Sequence, residues 1–261
     1  MVRVGTQWSR VAEINLTLCF PDLTPSQRGE LLAASIVQTA VLAAEIPFLW
    51  SARRSDRWRA AVTEVHGEHL IRGQTDSPRG LLILVPHIGN WEFLSLYLAD
   101  FEVIAPFMPP RSALANRLLY SLRTVRGTRM VPLGIPGVRT LYRALNDGAT
   151  VAMLPDQVPE RSAGIYAPFF GRPALTMTLA SRLAQQTGAR VVLGACLRCE
   201  GGFRLEFHAL PGFPSQEGDA SDALRINLAI EEVVRRFPDQ YQWTYKRFKK
   251  PPDGLPAIYG R

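Results

Sequence analysis

Cysteine is scarce in this chain: Cys19, Cys196 and Cys199 are the only three in 261 residues. They are too few and too unevenly spaced for a disulfide framework, which fits a reducing compartment. Cys196 and Cys199 have the spacing of a zinc-ligand pair, but no second pair follows and His208 leaves the set a ligand short, so no metal site is expected. Residues 1–15 hold Arg3, Arg10 and Glu13 and no continuous apolar core, which argues against a secretory signal. No uninterrupted apolar run of about 18 residues occurs. The nearest, Leu31–Trp50, carries Gln38, Glu45 and Pro47, the pattern of a buried helix or of one lying on a membrane surface rather than spanning it. The Gly-x-Ser-x-Gly elbow is missing too, which weighs against an α/β hydrolase or an acyl thioesterase.

What is abundant is positive charge. Thirty Lys and Arg against 23 Asp and Glu leave a formal net charge of +7. That balance suits an anionic partner: nucleic acid, acidic lipid headgroups or an acidic carrier protein. Arg111, Arg117, Arg123, Arg126 and Arg129 lie among leucines at helical spacing, with no aromatic interleaving or recognisable module, so nucleic acid is not the expected partner. Most of these arginines read as a solvated helix face. Arg123 and Arg126 are the ones singled out to hold a phosphate or a developing oxyanion, which a planar guanidinium does well.

Residues 1–20 read as a poorly defined lead-in. Thr24, Pro25 and Gln27 then form a helix start, with N-cap, proline at the first turn and capping-box glutamine, and the helix runs to about Trp50. A second helix is expected over Asp56–His69. From Leu81 onward apolar strands alternate with helices, and Arg190–Leu197 and Phe203–Phe207 pair about Gly201-Gly202. Helices are expected at Trp91–Leu98, Ala113–Arg126, Val138–Asn146, Leu175–Gln186 and Ala223–Arg236. This predicts one α/β domain, residues 73–261, whose mixed, largely parallel sheet is flanked by helices, preceded by a helical N-terminal extension over residues 1–72.

Two places carry chemistry. The strand Leu81–Val85 ends at Pro86 and delivers His87 to a short turn before a helix at Trp91, with Asn90 and Glu92 beside it. A histidine at a strand's carboxyl end, with a carboxylate on a nearby helix start, can form a general base and its orienting partner. A second apolar strand, Thr150–Leu154, ends at Pro155 and then Asp156-Gln157, and faces the same rim if the two strands are parallel. Asp156 could bind a substrate hydroxyl, brace an arginine or merely begin a loop. Downstream, Phe170 and Gly171 form an aromatic turn, exposed to a pocket or a bilayer, and Thr176 is a natural N-cap. The basic and aromatic segment from Phe237 to Lys250 suits an anionic membrane surface, or equally a core that buries its rings and shows only lysines.

The ordered series His87-Ile-Gly-Asn-Trp-Glu92, Leu154-Pro-Asp-Gln157, Pro168-Phe-Phe-Gly171 and Pro238-Asp-Gln-Tyr-Gln-Trp-Thr-Tyr-Lys-Arg-Phe-Lys249 resembles the bacterial lipid A biosynthesis acyltransferases, within the lysophospholipid acyltransferase superfamily. The likeness runs from about Asn15 to Pro256. Phosphatidylinositol mannoside acyltransferases are similar as well. The resemblance implies a glycerolipid-acyltransferase-like fold and a peripheral enzyme on the cytoplasmic face of the bacterial inner membrane. It would need no cofactor, with acyl carrier protein or coenzyme A supplying the acyl thioester and a lipid hydroxyl accepting it. It casts His87 as base, Glu92 as charge partner and Arg123 as an assisting arginine, with Asn90, Arg126, Asp156, Gln157, Phe170, Gly171 and Thr176 around the substrates. Family members usually begin with a longer hydrophobic anchor, and many carry arginine where Met108 stands. A lysophospholipid acyltransferase and a non-catalytic lipid-binding protein are the other readings.

Overall fold

The structure, a computed structural model, describes residues 6–52, 55–72, 79–107, 112 and 127–260. The first helix, α1 (Gln7–Cys19), starts where Thr6 accepts a hydrogen bond from the Ser9 amide at 3.3 Å. The lead-in expected before Phe20 is therefore mostly ordered helix. Val11, Ala12, Asn15, Leu16 and Cys19 recur at helical spacing and are buried, which gives the segment a face to pack. The reciprocal cap predicted for α2 (Pro25–Ala52) is present: the Gln27 amide donates to the Thr24 hydroxyl at 3.3 Å and the Thr24 amide to Gln27 Oε1 at 3.0 Å.

Asp56–His69 departs from expectation. A 3-10 turn over Arg57–Ala61 leads into strand β1 (Val62–His66) and only then a one-turn helix, α3 (His69–Arg72). Val62, Thr63 and Val65 favour extended backbone, and the segment pairs in parallel with a later strand, so long-range pairing overrides its helical composition. The stretch expected as a purely helical extension thus contributes a strand to the sheet.

There follow β2 (Leu81–Leu84), α4 (Trp91–Leu98), β3 (Ile104–Phe107), β4 (Arg129–Pro132), α5 (Ile135–Asn146) and β5 (Thr150–Met153). Next come the hairpin β6 (Gly164–Phe169) and β7 (Arg172–Met177), then α6 (Leu179–Thr187), β8 (Arg190–Cys199), β9 (Gly202–Ala209) and α7 (Asp219–Arg236). The main sheet runs β1-β9-β8-β2-β5-β3-β4, and every neighbouring pair is parallel except β8 with β9. The chain is thus α/β with a mixed, largely parallel sheet flanked by helices. The helix expected from Leu175 begins only at Leu179, because Thr176 is held in β7 opposite Ile165. The expected helix Ala113–Arg126, with Arg123 and Arg126, lies outside the described residues.

Strand β2 sits between β8 and β5 with both faces covered, which is why its sequence is a continuous apolar run rather than an alternating one. Leu82 and Leu84 enter a core with α1, α6 and α7, while Leu81 and Ile83 enter a second core with Trp58 and α4.

Candidate active site

The register of β2 with β5 builds the site. Leu84 lies opposite Met153, and both chains then run through an apolar residue and a proline. Three residues beyond that pair stand His87 on one strand and Asp156 on the other. The result is a contact of 2.7 Å between His87 Nδ1 and Asp156 Oδ1. The His87 amide also donates to Asp156 Oδ2, at 2.9 Å, and the Tyr241 hydroxyl donates to the same oxygen at 3.1 Å. Burial works to raise the Asp156 carboxyl, but the charge and hydrogen bonds of His87, with Arg247 beyond, outweigh it and hold the group below the ordinary carboxylate range. Burial and the nearby Asp156 charge push the Tyr241 hydroxyl well above its usual value, so it stays a donor.

An ionised carboxylate on Nδ1 places the ring proton there and leaves the Nε2 lone pair free to accept. Gln157 Nε2 lies 3.4 Å from that nitrogen. Trp91 packs edge-on against the imidazole at 4.9 Å between centroids, and Tyr245 stacks on it at 6.3 Å with planes 14° apart. Tyr245 is in turn fixed by its hydroxyl, which accepts from the Val158 amide at 2.8 Å.

The turn that carries His87 is clamped on two sides. Gly89 donates to the Gln240 carbonyl at 2.9 Å, Asn90 to the Cys196 carbonyl at 2.8 Å, and the Gln242 amide to the His87 carbonyl at 3.0 Å. Gly89 has φ +60°, and a Cβ there would lie 1.8 Å from the Cys196 carbonyl oxygen, so only glycine fits.

The expected charge partner, Glu92, is not the carboxylate that meets His87. Successive helical residues point about 100° apart. With Trp91 against the imidazole, Glu92 turns into an open cleft of about 100 Å³ beside α4. That cleft runs from Trp91 and Leu154 near the site, past Ser95, to Leu98, Val103 and Thr128, and is mostly apolar. Asn90 does not line that cleft: it is fully buried, its Oδ1 accepts from the Phe93 amide at 2.8 Å to cap α4, and its Nδ2 donates to Glu45 at 2.7 Å.

Three other expected substrate residues sit apart from the His87 contacts. Phe170 is buried against Phe20, Phe169 and Trp243, and its amide donates to Glu231 at 2.6 Å. It is therefore not an exposed aromatic turn. Gly171, at φ +70°, completes the tight β6–β7 turn. Thr176 caps no helix; buried in β7, it accepts from Arg247 at 2.9 Å. The aromatics of the carboxyl-terminal segment largely pack inward, with Tyr241, Trp243 and Phe248 all buried. Tyr241, Tyr245 and Trp91 were missed as site residues. The signal for the two tyrosines was their place in a dense aromatic segment, which composition alone could not separate from a membrane-facing one.

The sequence matches a known family over most of its length. The family model for bacterial lipid A biosynthesis acyltransferases covers residues 1–250. The chain is 27% identical to the lipid A biosynthesis lauroyltransferase of Escherichia coli (strain K12), over 96% of this chain and 82% of that protein. It is 28% identical to the palmitoleoyltransferase of the same organism, over 95% and 81% respectively. It is 25% identical to the corresponding myristoyltransferase, over 99% and 80%.

Proposed function

Because the chain belongs to the bacterial lipid A biosynthesis acyltransferase family, we propose that it moves a fatty acyl chain from a thioester of acyl carrier protein or coenzyme A to a hydroxyl of a lipid A precursor or related glycolipid. His87 is the general base, and Asp156 orients it. The observation that carries this reading is the His87–Asp156 pair at 2.7 Å, with Trp91, which packs on the imidazole, lining an apolar cleft alongside.

In this reading Nε2 of His87 takes the proton of the acceptor hydroxyl as its oxygen attacks the thioester carbonyl carbon. Asp156 stabilises the imidazolium that forms. The tetrahedral adduct then collapses, the carbon–sulfur bond breaks, and the imidazolium returns its proton to the departing thiolate. The product is an ester and a free thiol, with no acyl-enzyme on the path. Gln157, near Nε2, would orient the acceptor, and Arg123 would steady the negative charge that builds on the carbonyl oxygen. The cleft beside α4 would take the acyl chain. From Trp91 to Leu98 it follows α4 for roughly 10 Å at about 1.5 Å per residue.

Membrane association completes the reading. α2 is long and apolar enough, by length and composition, to cross a membrane. Yet Gln38 and Glu45 bond to Asp239 and Arg198 of the fold, while Val37, Val41 and Phe48 on α2 stay exposed. That pattern supports a helix lying along an anionic bilayer surface, apolar side down, with the domain above it. The net charge of +7 favours both that surface and an acidic carrier protein.

The test is to incubate purified protein in detergent with acyl carrier protein thioesters of several lengths and a panel of lipid acceptors, and to follow products by mass spectrometry. Transfer to a lipid A precursor, abolished in His87→Ala, is the expected outcome. Release of free fatty acid with every acceptor present would instead make the protein a thioesterase.

A further inference from the structure

Within Leu31–Trp50 the only charged residue is Glu45. A charge in an otherwise apolar helix is costly unless something meets it. Arg198, near the end of β8, meets it as a fork: Nε donates to Oε1 at 3.1 Å and Nη2 to Oε2 at 2.5 Å. The pair is largely covered, with side-chain exposures of 25% for Glu45 and 13% for Arg198. Arg198 Nη1 also reaches Gln38 at 3.2 Å, one further hold on α2.

The pair grips the His87 turn through Glu45, which the Arg198 guanidinium holds in place, while the Arg198 main chain braces the same turn separately. Glu45 Oε2 accepts directly from Asn90 Nδ2 at 2.7 Å. Arg198 exchanges two backbone bonds with the Gln240 side chain, at 2.8 and 2.9 Å, and the Gln240 carbonyl accepts from Gly89 at 2.9 Å. Gly89 and Asn90 are the two residues between the His87-Ile88 step and α4. Free them, and the imidazole loses the frame that sets it against Asp156.

We infer that Glu45 and Arg198 are positioning residues for His87, so that α2 is part of the catalytic apparatus and not only a means of reaching the membrane. The inference rests on His87 being the base proposed above. Displacing a reacting group by about 1 Å can cost on the order of 100-fold in rate, and the loosened turn should cost a sizeable part of that.

The experiment compares Glu45→Gln, Arg198→Met, the double variant and His87→Ala, all in the full chain, with an acyl carrier protein thioester and a detergent-dispersed lipid A precursor. The expected result is a kcat lower by about tenfold in each single variant, with the donor KM within about twofold of the parent. The double variant should lose no more than the worse single one, because the two residues act as one unit. Glu45→Gln should still bind anionic vesicles as the parent does, separating turnover from attachment. Parental kcat in both single variants would overturn the inference, as would losses that multiply in the double variant or that appear only near each variant's Tm. If His87→Ala kept its turnover, the base itself would be wrong and the positioning role would fall with it. If His87→Ala were inactive and Glu45→Gln fully active, only the positioning role would fall.

Discussion

Asp156 accepts three hydrogen bonds, two from His87 and one from Tyr241, in a place where water does not reach it. An asparagine there would keep the size but lose the charge that fixes the imidazole tautomer. Asp156→Asn should therefore lower kcat by about 100-fold or more, with the protein still folded by circular dichroism. His87→Ala should cost at least as much. With the Asp156 carboxyl held below the ordinary carboxylate range by His87, the acid limb of kcat/KM against pH should carry no ionisation of Asp156 in that ordinary range. An additional ionisation of carboxylate character in that limb would contradict the assignment. At this scale the sequence was informative about identity and not about pairing. Both His87 and Asp156 stand out because each follows a buried strand and a proline. The choice between Glu92 and Asp156 as partner was not legible, since it depends on which way Trp91 turns on the first turn of α4.

The elements contribute through their faces. Ser95 lies midway along α4 on the wall of the cleft, half-buried and away from the packed core. Ser95→Leu should narrow the cleft and shift the donor preference toward shorter acyl chains by about tenfold, about 1.4 kcal/mol, in a competition among thioesters. An unchanged chain-length profile would remove the cleft as the acyl site. On the other side of the sheet, β9 is tied to α7 where Glu206 accepts from Arg236 at 2.5 Å and pairs with His208 at 2.9 Å. Burial works to raise the Glu206 carboxyl, but His208 and Arg236 hold it at about 2, below its usual 4.5. A depressed folded value means the tie is complete above pH 4.5 and fades as pH falls toward 2. Urea unfolding should then show the parent losing about 1–2 kcal/mol more than Glu206→Gln between neutral pH and pH 3, allowing for solvent screening. Capping, strand runs and the β8–β9 turn were readable because they are local. β1 and the β6–β7 hairpin were not, since strand form there depends on partners far along the chain.

For the molecule as a whole, the two ends close over the middle. Asn15 of α1 donates to the Trp243 carbonyl at 2.6 Å and to the Tyr245 carbonyl at 2.9 Å, and accepts from the Tyr259 hydroxyl at 2.5 Å. The amino-terminal helix thereby steadies the segment that carries Tyr241 and Tyr245 to the site. The exposed side of α2 is a different matter, because Phe48 is 62% exposed with no core to enter. Phe48→Ser should weaken binding to anionic vesicles by about tenfold, the loss of one buried aromatic side chain. Raising the salt should weaken both proteins further, as a charge of +7 requires. Vesicle binding untouched by Phe48→Ser would take α2 off the membrane.

From its residues alone this chain determined its class, its central strands and the two positions where a base and a carboxylate emerge. Apolar runs ended by proline, reciprocal caps and paired glycines act over a few residues and need no partner. Only the tertiary structure decided which groups meet. The parallel register of β2 with β5 sets His87 against Asp156, the turn of α4 sends Glu92 to the cleft, and Arg198 draws Glu45 of α2 to the catalytic turn. Each of these contacts joins residues distant in sequence or depends on side-chain direction, and neither is encoded in a local pattern.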